Sequence, residues 1–320
     1  MSFESSTRRK IVQLPNLVRP AGGGVTVIQL PKAGILARVY LAIRMTDVGI
    51  PAAPNPLGWA AAIRTVRLGV NDGNDICQMS GVGFNYFLRW GMELESDSAP
   101  QSAALTAVAV GAGVNLDMII PVAVNERDSA GMVMLQSDQT TVTLSIDWET
   151  DAVLGGGVAV FSGTATPYLE TFTVPTSPAD LPSFDVIHQI LEEQTIVAAA
   201  GDVTYPWPRG NTYLQMYHGF GIAAAGGADN FTRYRLRVNQ SDFIQDTDQN
   251  YLSIQRNHSA LSARRLGVIP VDLMGSAGLG MYDRVRDTIN SALVTSLDSV
   301  LTVTAPGTMF TLRRQLVNMK

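Results

Sequence analysis

The sequence is poor in several residue types, and each scarcity removes a class of function. There is one cysteine, Cys77, in 320 residues, so no intramolecular disulfide can form and nothing points to an oxidising compartment. The three histidines, His188, His218 and His258, stand apart with no His-x-His and no carboxylate at ligand spacing, which argues against a metal–histidine site. Lysine occurs only as Lys10, Lys32 and Lys320. Charged residues make up 16% against 46% hydrophobic, and the net charge is -5. That balance argues against a protein that neutralises phosphates over a whole face. It fits a well-packed chain whose surface is also largely covered, as in an assembly.

Long apolar runs are scarce too. The start, Met1-Ser2-Phe3-Glu4-Ser5-Ser6, lacks the apolar core of a secretory signal, so the expectation is a protein made and kept in the cytoplasm until assembly. The most apolar window, Ala103 to Val124, is interrupted by Asn115 and Asp117 and weakened as a helix by Gly111 and Gly113. Buried strands account for it better than a membrane span.

Catalytic patterns are missing as well. Asp246-Thr247-Asp248-Gln249-Asn250 begins like a calcium loop, but Tyr251 stands where the loop needs glycine and Asn257 where it needs glutamate. The glycine runs Gly22-Gly23-Gly24 and Gly275-Ser276-Ala277-Gly278 lack the lysine and Ser/Thr of a phosphate loop, and Gly-x-Ser-x-Gly does not occur. The carboxylate pairs Glu192-Glu193 and Glu93 with Glu95 read as solvated side chains. The reading is that the chain is not an enzyme and carries no cofactor.

What the sequence does contain is a repeat. Arg67-Leu68-Gly69-Val70-Asn71 returns as Arg235-Leu236-Arg237-Val238-Asn239, 168 residues later, and Ile76 and Ile244 extend the match. Leu30-Pro31-Lys32 faces Trp207-Pro208-Arg209, and Tyr40 faces Tyr217, both at an offset of 177. Ile120-Pro121-Val122 returns as Ile269-Pro270-Val271 at 149, and Gly163-Thr164 as Gly307-Thr308 at 144. Pairs in the same order with slowly drifting offsets indicate a diverged duplication. The drift assigns about 19 extra residues to the first copy, around Gly91 to Val110, because insertions collect in surface loops.

Strand signals dominate both copies. Leu144, Ile146 and Trp148 alternate with Thr143, Ser145 and Asp147; Tyr234, Leu236 and Val238 alternate with Arg233, Arg235 and Arg237. Turn residues punctuate them at Asn71-Asp72-Gly73-Asn74, Gly155-Gly156-Gly157, Gly226-Gly227 and from Pro51 to Pro56. Two helices are predicted. One is capped by Ser183 and carries Val186, Ile187, Ile190 and Leu191 on one face, ending near Val197. The other runs from Tyr282 to Leu297 on the four-residue spacing of Val285, Ile289, Leu293 and Leu297. The stiff segment Pro175-Thr176-Ser177-Pro178-Ala179-Asp180-Leu181-Pro182 is the candidate boundary.

On these paired blocks, over residues 25–317, the chain resembles the double jelly-roll major capsid proteins of tailless icosahedral viruses. That lineage includes adenovirus hexon and the tectivirus and corticovirus coat proteins, and the compact size is most similar to the small bacteriophage members. The resemblance implies an all-β fold of two tandem eight-stranded jelly-roll barrels with a few short helices. Its division is an N-terminal arm (1–24), jelly roll 1 (25–174), a linker and helix (175–198), and jelly roll 2 with a C-terminal tail (199–320). The implied function is structural: a homotrimer of pseudo-hexagonal outline that tiles an icosahedral bacteriophage shell, assembled in the host cytoplasm and placed in the virion capsid. Implied partners are neighbouring trimers, penton and minor capsid proteins, and an internal lipid membrane or the genome.

Basic residues crowd both ends: Arg8, Arg9, Lys10 and Arg19, then Arg313, Arg314 and Lys320. Solvated tails are the ordinary reading of such clusters. Under the resemblance they lie on the inner face of the shell and meet phosphate, and Ser2 to Pro20 orders only in the particle. The alternative is a tandem jelly-roll carbohydrate-binding or adhesin (spike) protein. It needs a groove of exposed aromatics, whereas Trp59, Trp90, Trp148 and Trp207 are scattered along the chain. A bicupin-like enzyme is disfavoured by the histidine pattern.

Overall fold

The computed structural model describes residues 3–47, 58–71, 73–88, 113–124, 129–155, 161–220, 230–247, 267–273 and 288–318. The chain divides into two compact units between Leu191 and Glu192, with residues 86–88 counted in the second.

The first unit contains β1 (Arg9–Gln13), β2 (Leu17–Val18), β3 (Gly24–Gln29), β4 (Ile35–Asp47), β5 (Ile63–Val70), β6 (Asn74–Met79), β7 (Gly113–Pro121), β8 (Val133–Met134), β9 (Val142–Trp148) and β10 (Phe161–Phe172). One sheet runs β1-β10-β4-β7, with the short β2 and β8 attached to β10 and β4; the other runs β6-β5-β9-β3. Alternation fixes which face is inward. Val142, Leu144, Ile146 and Trp148 of β9 are buried, as are Val114, Leu116, Met118 and Ile120 of β7. Burying each such side chain stabilises the fold by roughly 1.5–3 kcal/mol.

The remaining strands are β11 (Val186–Val197), β12 (Gly201–Pro206), β13 (Thr212–Phe220), β14 (Phe231–Val238), β15 (Ser241–Thr247), β16 (Val268–Asp272), β17 (Ile289–Asn290), β18 (Leu297–Val303) and β19 (Gly307–Asn318). Their orders are β16-β13-β19-β11, with β17 on β13, and β12-β18-β14-β15. The first unit's orders therefore recur strand for strand: β1-β10-β4-β7 as β11-β19-β13-β16, and β3-β9-β5-β6 as β12-β18-β14-β15. Among the described residues each copy has eight main strands in two four-stranded sheets, with the short β2, β8 and β17 added at the side, the arrangement of a jelly roll.

The irregularities recur as well as the order. Between β5 and β6 the register shifts at Leu68/Gly69, and between β14 and β15 at Leu236/Arg237. Opposite β9 the shift falls at Ile63/Thr65, and opposite β18 at Phe231/Arg233. Between β4 and β10 it falls at Glu170/Thr171, opposite Arg38 and Leu36; between β13 and β19 it falls at Tyr213/Gln215, opposite Gln315 and Arg314. Arg67 and Arg235 thus occupy the same ladder position. The hairpin turns agree too: Asn71 and Asn239 both have φ 53, and their side chains accept hydrogen bonds from the backbone N–H of Thr141 and Thr295. Asparagine suits this left-handed conformation because its short amide can bond locally.

The repeated Gly-Thr pair also has a packing cause. A Cβ on Gly163 would lie 3.0 Å from Cζ3 of Trp148, and one on Gly307 3.1 Å from Cζ of Phe220. An aromatic ring lies against the backbone in both copies. One sequence match does not survive: Tyr40 faces Ile119 whereas Tyr217 faces Pro270, so Ile120-Pro121-Val122 and Ile269-Pro270-Val271 are out of step by two residues on matching strands.

Three sequence-based expectations are corrected. The helix after Ser183 is the strand β11, in which Ile190 and Leu191 lie opposite Cys77 and Gln78. Its place beside β19 matches that of β1 beside β10, so the segment read as linker helix supplies the first strand of the second jelly roll. The helix predicted from Tyr282 to Leu297 is absent over its described part. Ile289 lies in β17, Leu293 is 82% exposed, Leu297 begins β18, and the Asn290 side chain accepts from the N–H of Ala292 to form a turn. Residues 9–13 of the predicted arm are not loose: they pair with β10 from Arg9 opposite Phe172 to Gln13 opposite Tyr168. Short helices do occur at Phe3–Ser6, Gly81–Tyr86 and Asp151–Gly155. The Gly91 to Val110 insertion, the Pro51 to Pro56 turn, Gly226-Gly227 and most of the calcium-like string lie outside the described residues.

Candidate assembly surfaces

The seven basic residues singled out from the sequence take different roles. Arg19 is built into the first unit. It donates from Nη1 to the Phe161 carbonyl and from Nη2 to the Glu149 carbonyl, both at 2.9 Å, pairs with Asp151 at 2.7 Å, and lies 3.9 Å over the Phe161 ring. Arg314 is buried, donates to Gln215 Oε1 at 3.2 Å and sits 6.0 Å over Phe87. Arg313 pairs with Glu193 at 3.1 Å and reaches the Tyr205 hydroxyl. Burial and ion pairing commit these three inside the chain. Arg8, Arg9 and Lys10 are exposed, the last two on the strand that carries Ile11 and Val12 and Arg8 just before it. Lys320 lies outside the described residues.

Strand β1 is exposed along its whole length, with Ile11 58% and Val12 40% accessible. Its ladder to β10 is reinforced by the side-chain bond from Arg9 Nε to Glu170 Oε1 at 2.8 Å. Glu170 is buried and also accepts from the Tyr40 hydroxyl at 2.7 Å. Burial, then this bond, pushes the Tyr40 phenol above its ordinary range. At the matching positions of the second copy, Arg314 stands for Glu170 and Gln215 for Arg38, so the buried charge changes sign while the bulge stays.

A second difference lies on the outward face of β3. Val25 and Val27 are each 58% exposed, opposite Asp147 and Ser145. The matching strand β12 carries Asp202 and Thr204 there, with Asp202 bonded to Arg235 and Thr302. The Thr302 hydroxyl, followed by the charge of Arg235, lowers the Asp202 pKa. On the first copy's surface Arg64 instead holds two carboxylates, Asp147 and Glu149, at 3.3 and 2.9 Å. The Arg64 hydrogen bond holds the Glu149 carboxyl below its usual value. One copy thus ends in an apolar edge and the other in a charged one.

The features an aromatic sugar groove would need are not on these surfaces. Trp59, Trp148 and Trp207 are 1%, 0% and 3% exposed, and Trp90 lies outside the described residues. No group of three or more His, Cys, Asp or Glu side chains that could hold a metal ion occurs among the described residues. No helix among them is long and apolar enough to cross a membrane. Exposed apolar strands such as these are suited to burial against other protein surfaces.

No family model matches the chain, and no curated protein does. Solved structures do. The STIV MCP, of Sulfolobus Turreted Icosahedral Virus, superposes with a TM-score of 0.74 at 13% identity, covering 97% of each chain. The PBCV-1 virus capsid gives 0.68 at 11% identity, over 97% of this chain and 93% of that one. The major capsid protein P2 from Bacteriophage PM2 gives 0.59 at 12% identity, over 98% of both. The path of the chain is shared although few residues are identical. From β1 to β19 the chain folds as a double jelly roll, the fold of these viral major capsid proteins.

Proposed function

We propose that this chain is the major capsid protein of an icosahedral virus and that it works as a homotrimer. The observation that carries the reading is the strand-for-strand recurrence of one jelly roll within a chain whose whole length follows capsid proteins of three different viruses. A duplicated barrel lets three chains present six similar sides, and closed symmetry then buries the edges that a single chain leaves open. Obligate interfaces of that kind cover roughly 2,000–5,000 Å². The exposed valines of β3 and the exposed β1 are apolar surface of the sort such contacts cover.

The virus is a bacteriophage in this reading, and penton and minor capsid proteins are further partners. Arg8, Arg9 and Lys10 face the interior and meet phosphate, of lipid headgroups or of the genome. Each basic residue near an anionic membrane contributes about 1 kcal/mol, so three copies of the cluster suffice for anchoring. Replacing all three with alanine should leave the trimer intact and reduce flotation with anionic vesicles or the yield of particles. Rapid removal of residues 1–20 by protease acting on intact particles would place this segment outside and end the interior assignment.

A further inference from the structure

His218 is fully buried in the second jelly roll, in a setting its own duplicate does without. Its ring lies 5.8 Å from Tyr205, 5.3 Å from Trp207 and 6.0 Å from Tyr234, centroid to centroid. Nδ1 is 3.2 Å from the Thr311 hydroxyl, and Nε2 is buried without a partner. Ser299 completes the cage: its Oγ accepts from the Trp207 indole at 2.8 Å and bonds the Tyr234 hydroxyl at 3.1 Å. A buried polar atom without a partner costs stability, so apolar side chains at these positions would pack at lower cost.

The first copy shows what such a core looks like. Counting from the shared bulge, Leu41 stands where His218 does, with Pro167 facing it as Thr311 faces His218. Ile28, Leu30, Val66 and Leu144 take the places of Tyr205, Trp207, Tyr234 and Ser299. The jelly roll therefore needs none of the polar atoms at this site. No described carboxylate touches the imidazole from β12, β14, β16, β18 or β19. Glu193 of β11 approaches only through the Tyr205 hydroxyl and is already paired with Arg313, whose charge opposes a second cation.

We propose that His218 is a proton-operated latch that keeps the second jelly roll closed while neutral and loosens it when protonated, leaving the first jelly roll closed. The cage offers an imidazolium no counter-charge, and no acceptor for its new N–H. Protonation must open the packing around Trp207 and Tyr234 so that water can reach the ring. Burial lowers the His218 pKa from 6.5 to about 3. Because the folded pKa is depressed, the open form binds the proton more readily. Closure is favoured fully above the ordinary histidine range, and is lost as pH falls through it toward the folded value. At pH 4.5 the closed form should be disfavoured about 100-fold relative to pH 7.5.

The test is amide hydrogen exchange on the full chain, converted to protection factors, between pH 7.5 and 4.5. Wild type should lose protection in β13, β14 and β18 by about tenfold per pH unit below pH 6, with β4, β5 and β9 unchanged. His218→Leu, which copies Leu41, and His218→Gln, which keeps a polar but uncharged group, should each abolish the slope. If the second unit loses protection with the same pH dependence in wild type and in either folded variant, the latch is overturned. A slope of equal size in β4 and β5 would overturn it as well.

Discussion

Asn239 shows how much a single side chain holds in this fold. It sits at φ 53 and accepts from both the N–H and the hydroxyl of Thr295, at 2.7 and 2.9 Å. Alanine there loses both bonds and strains the backbone, so Asn239→Ala should lower stability by about 1–3 kcal/mol, read from urea midpoints. Asn239→Gly restores the conformation but not the bonds and should fall between alanine and wild type. Ser299→Ala should cost about 1–3 kcal/mol in the same assay, because the Trp207 N–H and the Tyr234 hydroxyl lose their shared partner. Glu149 makes a smaller, pH-dependent contribution. Its carboxyl is held low by Arg64, so its stabilisation is present above the unfolded value of 4.5 and is lost as pH falls toward the folded one. Half-exposure of Arg64 limits it to below about 1 kcal/mol, and Glu149→Gln should remove that part of the acid slope in urea titrations.

At the scale of the element, strands with one wet face could be read from the sequence, and strands that share several environments could not. The alternation of β9 and β14 appears directly as buried positions alternating with more accessible, mostly half-buried ones. Segment 186–197 misled because Ile187, His188 and Ile190 are all buried, an arrangement no two-residue period predicts and a helical face imitates. The supposed helix around Leu293 failed because its four-residue spacing falls on a strand end, an Asx turn and a strand start in succession. Charge was legible and its use was not: Phe161 and Phe87, distant in the chain, give Arg19 and Arg314 aromatic seats that no local pattern announces. The contrast between β3 and β12 became visible only once the ladder aligned Val25 with Asp202. Copying one edge onto the other, Val25→Asp with Val27→Thr, should change the urea midpoint little. Trimer formation, followed by size exclusion, should be lost.

For the whole molecule, the duplication found in short strings extends through strand order, three pairs of bulges and the hairpin asparagines. Shared bulges are the strongest of these signs, since each is a local irregularity retained at a matched position after the side chains diverged. The copies then differ where each could specialise: in buried charge, in the edge strand and in the aromatic cage of the second core. In the proposed homotrimer each chain brings two kinds of edge to its neighbours, one apolar and one charged. Light scattering of the purified full chain at assembly concentrations tests this most directly. The expected result is a single species of about three times 34.3 kDa. A stable, monodisperse monomer under those conditions would contradict it.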